Sequence, residues 1–262
     1  NHSTVTRNIA SGNGGGIANN GTTRIKKSTI SRNIATGQGG GIYSTGLLEI
    51  HKSHIDHNTA GSGSGGGGVF STNSTVTSKG GSISGNQAGV GGGLFLSSSI
   101  GTVTGTRITA NTANNSSGGV RAGVGSQLTM RHVSLADNTA TTLGGGVSVS
   151  GPSEGESTAV VEDSVIKNNM GASSGGGIFN DGQTVLRRTK VIGNQAVRGG
   201  GILNDGTISL FTTKVVKNVA ITDGGGIFNT GGSTVNLNLA TGTTVFKNLP
   251  DNCFGNVPGC AG

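Results

Sequence analysis

The aliphatic residues of this chain avoid the three-and-four spacing of a helix and recur at fixed offsets from an asparagine. The unit is a β-branched residue, two variable residues, Asn, one variable residue, Ala, a short loop, Gly-Gly-Gly, then Ile or Val. TISRNIATGQGGGI, KVIGNQAVRGGGI and KVVKNVAITDGGGI are three copies. The asparagines are Asn8, Asn33, Asn58, Asn86, Asn111, Asn138, Asn168, Asn194, Asn218 and Asn248, a mean period of about 27 residues, in the range of solenoids. The residue three before each is aliphatic in all ten units, from Val5 and Ile30 through Val165 to Val245. Ala follows two residues after the Asn in eight of ten, Met170 and Pro250 being the exceptions. Nine glycine blocks each precede an aliphatic residue, and only the one ending at Gly119 has two glycines instead of three.

Each unit carries three short β-prone stretches: after the glycines (GIFN), in the middle (TVLR) and before the Asn (TKVIGN). Short strands repeating at this period predict an all-β, three-sided parallel β-helix of about nine to ten coils over residues 1–250, each strand pairing with its equivalent about 4.8 Å above and below. The aliphatics before the Asn and those after the glycines form two inward ridges. Ile25, Ile50, Val103, Met130, Val160, Leu186 and Leu210 are expected to form a third. Asn33, Asn58, Asn86, Asn111, Asn138, Asn168, Asn194 and Asn218 are expected to stack as a ladder at a sharp turn, bonding through their amides and tolerating left-handed backbone. The glycines supply positive φ at another corner. Tyr43, Phe70 and Phe95 share one repeat position, as do Phe179, Leu203 and Phe228, and read as structural stacks.

These units resemble the right-handed parallel β-helix repeats of bacterial surface and secreted proteins, above all the Gly-Gly-Ala-Ile and Phe-x-x-Asn repeats of polymorphic outer-membrane proteins. Here the first motif is Gly-Gly-Gly-Ile and the second Val/Ile-x-x-Asn, with β-branched residues in place of Phe. The resemblance runs to about residue 250. It implies a right-handed single-stranded β-helix and an extracellular or cell-surface location in a bacterium. It says little about activity, since β-helices host lyases, hydrolases, epimerases and adhesins alike.

Composition sharpens this picture. Glycine contributes 53 of 262 residues, hydrophobics 31 % and aromatics 3 %, so the core is thin and built of stacked aliphatics. No apolar run reaches the ~20 residues of a membrane-spanning helix. Both cysteines lie in LPDNCFGNVPGCAG. Cys253 and Cys260 are expected to close a small disulfide loop, making residues 251–262 a tail or cap and fitting an oxidising, extracellular setting. The chain opens inside a coil at NHSTVTRN, and another segment, copy or partner is expected to cover that end.

The net charge is +7, and the cations follow the repeat. Arg7, Arg32, His57, Lys167, Lys217 and Lys247 directly precede the Asn. Lys26, Lys27, His51, Lys52, Lys79, Arg131, His132, Arg187 and Arg188 lie six or seven residues before it. In a β-helix these become longitudinal stripes suited to a linear polyanion, such as an acidic polysaccharide or a cell-envelope polymer. The plain alternative is a solvated face that keeps the rod soluble. Nucleic acid is not an expected partner, given the extracellular context and scarce aromatics.

Evidence for chemistry is thin. Arg24-Ile25-Lys26 is similar to a polygalacturonase segment, but the Asn-Thr-Asp, Asp-Asp and Gly-His-Gly segments of that family do not occur. Glu154, Glu156, Glu162 and Asp163 are the one concentration of acids, two of them in the inserted GPSEGES. His51, His54, Asp56 and His57 fall in different columns, so no metal site is expected, and no cofactor either. Asp181 and Asp205 sit in Asn-Asp-Gly turns. The leading expectation is a rigid binding or structural module of adhesin type. One alternative is a lyase or epimerase on acidic polysaccharide, with candidates around Lys26, Lys52, Arg131, His132 and Arg188. Another is a self-assembling fibre subunit, drawn from the open first coil.

Overall fold

A strand of two to five residues has little stability alone and needs equivalent neighbours on both sides. The computed structural model describes residues 1–260, and its strands pair in parallel, each with the strand one repeat away. One coil shows the plan: Ile178–Asn180, Gln183–Arg187, Lys190–Ile192 and Gln195–Arg198. The first three are the expected stretches. The second and third join without a break in Leu47–Asp56 and Thr75–Ser84. The fourth follows the ladder Asn and is only two residues long in most coils, as in Ile34–Ala35 and Gln87–Ala88. Its Ala is buried, at 1 % exposure for Ala35 and 0 % for Ala88 and Ala113. The backbone of this short strand lies against the glycine block: a Cβ on Gly40 would stand 2.4 Å from the Thr59 carbonyl carbon.

Inside, equivalent residues stack in columns. Ile30, Ile55, Ile83, Ile108 and Leu135 form the ridge before the ladder, and Ile42, Val69, Leu94, Val120 and Val147 the ridge after the glycines. The third ridge runs Ile25, Ile50, Ser78, Val103, Met130, Val161, Leu186 and Leu210. Tyr43 stacks on Phe70 at 5.7 Å between ring centroids, and Phe70 meets Phe95 edge-on at 5.1 Å.

The Asn ladder is a closed set of bonds. Asn111 Nδ2 donates to Asn138 Oδ1 at 2.9 Å and to the Ile83 carbonyl of the previous coil at 3.0 Å. Its backbone N–H also donates to Asn138 Oδ1, at 3.0 Å. Its own Oδ1 accepts from the Asn86 N–H and Nδ2 at 3.0 and 2.9 Å. Both amide protons and both acceptor sites of each interior member are thus used in a site with no water access. The pattern runs from Asn8 to Asn248, where Asn252 Oδ1 takes the place of the next member.

Coil seven corrects the sequence register. Its ladder member is Asn169, not Asn168: Asn138 Nδ2 donates to Asn169 Oδ1, and Asn169 Nδ2 to Asn194 Oδ1. Asn168 is exposed, with φ 53°. Side chains alternate with period two, so this one-residue slip exchanges inside and outside along the coil. Ile166 and Val161 are buried in place of Val165 and Val160, and Gly171 takes the Ala site while Met170 points out. Lys167 consequently leaves the column immediately before the Asn.

That column also revises the expected backbone. The left-handed residue is the one before the ladder Asn, not the Asn itself. Arg7, Arg32, His57, Ala110, Asp137, Asn168, Lys217 and Lys247 all have φ between 53° and 57°. In the glycine block, the first glycine has positive φ and the next two face neighbouring backbone and the ladder amide. A Cβ on Gly41 would lie 2.6 Å from the Gly68 carbonyl oxygen and 2.9 Å from Asn58 Nδ2. The two-glycine unit places Ser117 in the left-handed position, at φ 65°, with its hydroxyl buried and unbonded.

At the C-terminus Cys253 and Cys260 form the disulfide. Cys253–Phe254 pairs with Ile227–Phe228, so coil pairing extends into the segment expected as a tail. Residues 261 and 262 of that segment lie outside the described residues.

Two measurements test this register. Asn169→Ala orphans the Asn138 donors and the Leu135 carbonyl. It should cost about 3 kcal/mol in urea denaturation, whereas Asn168→Gly should stay within about 0.5 kcal/mol. The opposite ranking would contradict the register. Ser117→Gly relieves a left-handed non-glycine and removes an unsatisfied hydroxyl, so it should stabilise the protein by about 1 kcal/mol, read as a higher melting temperature.

Candidate functional site

Parallel pairing converts the cations six and seven residues before the ladder Asn into two adjacent columns at a corner of the coil. The first runs Lys26, His51, Lys79, Thr104, Arg131, Glu162, Arg187 and Phe211. The second is the left-handed corner itself: His2 at φ 54°, Lys27 at 48°, Lys52 at 46°, Gly80, Gly105, His132 at 53°, Asp163 at 49°, Arg188 at 47° and Thr212 at 50°. A side chain on a left-handed corner projects away from the strand on either side, so these groups reach solvent.

The columns divide into two regions of different electrostatics. In the C-terminal region acids interleave with the cations. Glu162 bridges Arg131 at 2.8 Å and Arg187 at 3.6 Å across the coils on either side. Asp163 accepts two bonds from Arg188, at 2.6 and 3.0 Å. The Arg188 hydrogen bond holds the Asp163 carboxyl below its usual range, with the nearby Arg188, His132 and Arg131 charges adding to the effect against a partial desolvation. The same bond raises Arg188. A carboxyl lowered in this way keeps its pairing at neutral pH and loses it only as pH falls through the lowered value. This region sets two carboxylates against three arginines, so most of its positive charge is compensated.

In the N-terminal region Lys26, Lys27, His51, Lys52 and Lys79 line one shallow groove of about 440 Å³. None of the four lysines has an acidic partner within ion-pair distance among the described residues. Glu49, two residues before His51 on the same strand, is paired with Arg24. Thr104 and Gly105 end the run toward the C-terminus.

The remaining predicted cations form two shorter runs on the corner before the ladder: Arg7, Arg32 and His57 on consecutive coils, and Lys217 and Lys247 on two later ones, with Gly85, Ala110, Asp137, Asn168 and Gly193 between. Lys167 pairs in register with Ala136 and Ile192, in a different column. The sequence reading missed the neutralising role of Glu162 and Asp163. With Asn169 as anchor they fall seven and six residues before it, in the basic columns; the slip to Asn168 hid the match. It also passed over Lys190 and Lys214, which stack in register on neighbouring coils.

Other clusters serve the scaffold. Arg121 is mostly buried and bonds Glu154 and Ser150, which fastens the inserted loop containing Pro152–Glu154. Glu156 accepts from Gln183. Asp181 accepts from the Gly151 N–H, and Asn180, Asn204 and Asn229 form a second amide ladder at their corner. His54 Nδ1 bonds Ser82 Oγ at 2.8 Å, while His57 Nδ1 lies 3.2 Å from Asp56 Oδ2. No group of three or more His, Cys, Asp or Glu is placed to hold a metal ion among the described residues.

A family model, the Chlamydia polymorphic membrane protein repeat, matches residues 27–45. That span runs from the corner lysine through ladder residue Asn33 and the glycines at 39–41 into the next strand. No curated protein and no solved structure matches the chain. Among the described residues no helix is long and apolar enough to cross a membrane, which leaves β-barrel spans unaddressed. The chain is a parallel β-helix repeat protein whose repeats are similar to those of the Chlamydia polymorphic membrane proteins.

Proposed function

We propose that this protein is a surface-exposed binding rod that holds a linear polyanion, an acidic polysaccharide or cell-envelope polymer, in the groove of Lys26, Lys27, His51, Lys52 and Lys79. The observation that carries this reading is the contrast between the two regions of one column. Stacked like charges repel, and the C-terminal region relieves this with Glu162 and Asp163. The N-terminal region keeps four unpaired lysines in one groove. An external anion would supply the missing countercharge, and the parallel ladder holds the cations in a preorganised row. The repeat match supports a bacterial surface location, where such polymers are within reach.

The test is calorimetric titration with polygalacturonate at two salt concentrations. The triple variant Lys27→Ala/Lys52→Ala/Lys79→Ala should lose about tenfold or more in affinity, and wild-type binding should weaken as salt rises. Arg187→Ala/Arg188→Ala should leave binding within about twofold. Unchanged affinity in the triple variant would sink the reading. In a second experiment Glu162→Gln/Asp163→Asn frees Arg131, Arg187 and Arg188. At pH 7 this variant should gain polyanion binding that survives the triple lysine substitution; no gain would mean that neutralisation by acids is not what distinguishes the regions.

A further inference from the structure

We infer that the groove reads the spacing of charges on its ligand and selects a linear acidic glycan with one anionic group on every sugar, lying parallel to the rod axis. This rests on the polyanion reading above and adds the ligand's repeat to it.

The argument is one of matched periods. Lys26, His51 and Lys79 are direct Cα partners on consecutive coils, so their backbones are fixed one coil spacing apart, about 4.8 Å. Lys27 and Lys52 occupy the same left-handed corner conformation on adjacent coils, at φ 48° and 46°, and repeat at that spacing. The Asn33, Asn58 and Asn86 amides tie these same coils together, so the row cannot stretch to suit a different ligand. An extended pyranose chain advances by a similar length per sugar. One carboxylate or sulfate on each sugar therefore meets one coil after another. A glycan charged on alternate sugars skips every second coil. A polyphosphodiester places six bonds between phosphorus atoms and overshoots one coil when extended. The lysines of the row cover three coils, with His2 on the same corner of the coil before and Thr104 and Gly105 on the coil after, so three consecutive charged sugars fill the lysine run.

The two regions of the columns then differ in kind. Toward the C-terminus the period is taken up internally, with Glu162 between Arg131 and Arg187. In the groove the ligand takes the place that Glu162 and Asp163 hold there.

The experiment compares ligands of equal charge and different spacing at one ionic strength. Trigalacturonate and a hyaluronan hexasaccharide each carry three carboxylates. Trigalacturonate should bind about tenfold more tightly. Across galacturonate oligomers of two to six units the affinity should climb to the trimer and then level off. Thr104 is the in-register neighbour of Lys79, so Thr104→Lys extends the row by one coil. It should move the plateau from three units to four. Equal affinity for the two three-charge ligands, or a plateau unmoved in Thr104→Lys, would overturn the spacing rule. If binding is present and abolished by Lys52→Ala in those cases, the groove still holds polyanions and only the spacing rule fails. Absence of Lys52-sensitive binding to either glycan would overturn both.

Discussion

The structure depends on one reciprocal interaction, the buried amide ladder. An asparagine side chain has two donors and two acceptor sites, and each interior member of the ladder spends all four on neighbouring coils. The donors leave no slack in the distance to the next coil, and the bonds to the carbonyl of the preceding coil fix the register in the other direction. Hydrophobic burial gives the coil its reason to close, but small stacked aliphatics are interchangeable and would tolerate a shift. The unpaired cost of a buried amide would not. The ladder therefore decides which residue of each coil faces inward, and the glycines and the left-handed corner accommodate it.

A single register for all coils has a direct consequence for the surface. Whatever a coil displays at a position is displayed next to the same position of its neighbours, so charge accumulates in lines. Lines of like charge cost stability. Coils six to eight offset this with acids on coil seven at the equivalent positions, and Asp163 is drawn toward its charged form by Arg188 in doing so. Coils two to four do not. Where the same two columns are compensated on one stretch and left open on another, the open stretch is where a binding function is most economically placed.

Much of the architecture is legible in the residues. The aliphatic three before the Asn, the Ala two after it and the glycine block each mark a position with one physical requirement, and the columns follow from counting. The failure is equally instructive. At Asn168-Asn169 two adjacent residues both satisfy the asparagine rule, and counting from the first puts Lys167 in a basic column. Counting from the wrong one moved Val160, Val165 and Lys167 together by a residue and hid Glu162 and Asp163 from the columns they neutralise. The fourth short strand was missed for another reason. Two residues are too few to show a period: the Ala is buried, and the residue before it lies with its backbone against the glycine block.

The sequence by itself determined the repeat, the parallel stacking of equivalent strands, the thin aliphatic core and the presence of an asparagine ladder, because each is a periodic requirement that recurs often enough to be read. The tertiary structure alone decided which asparagine of a doublet is buried, which backbone residue turns left-handed and which cations have partners. These are questions about neighbours one coil away, some 25 residues distant along the chain yet in direct contact. Ion pairs such as Arg188 with Asp163 form across that distance and have no local signature. The stripes of cations expected from the repeat became, through those contacts, one largely compensated region and one open groove.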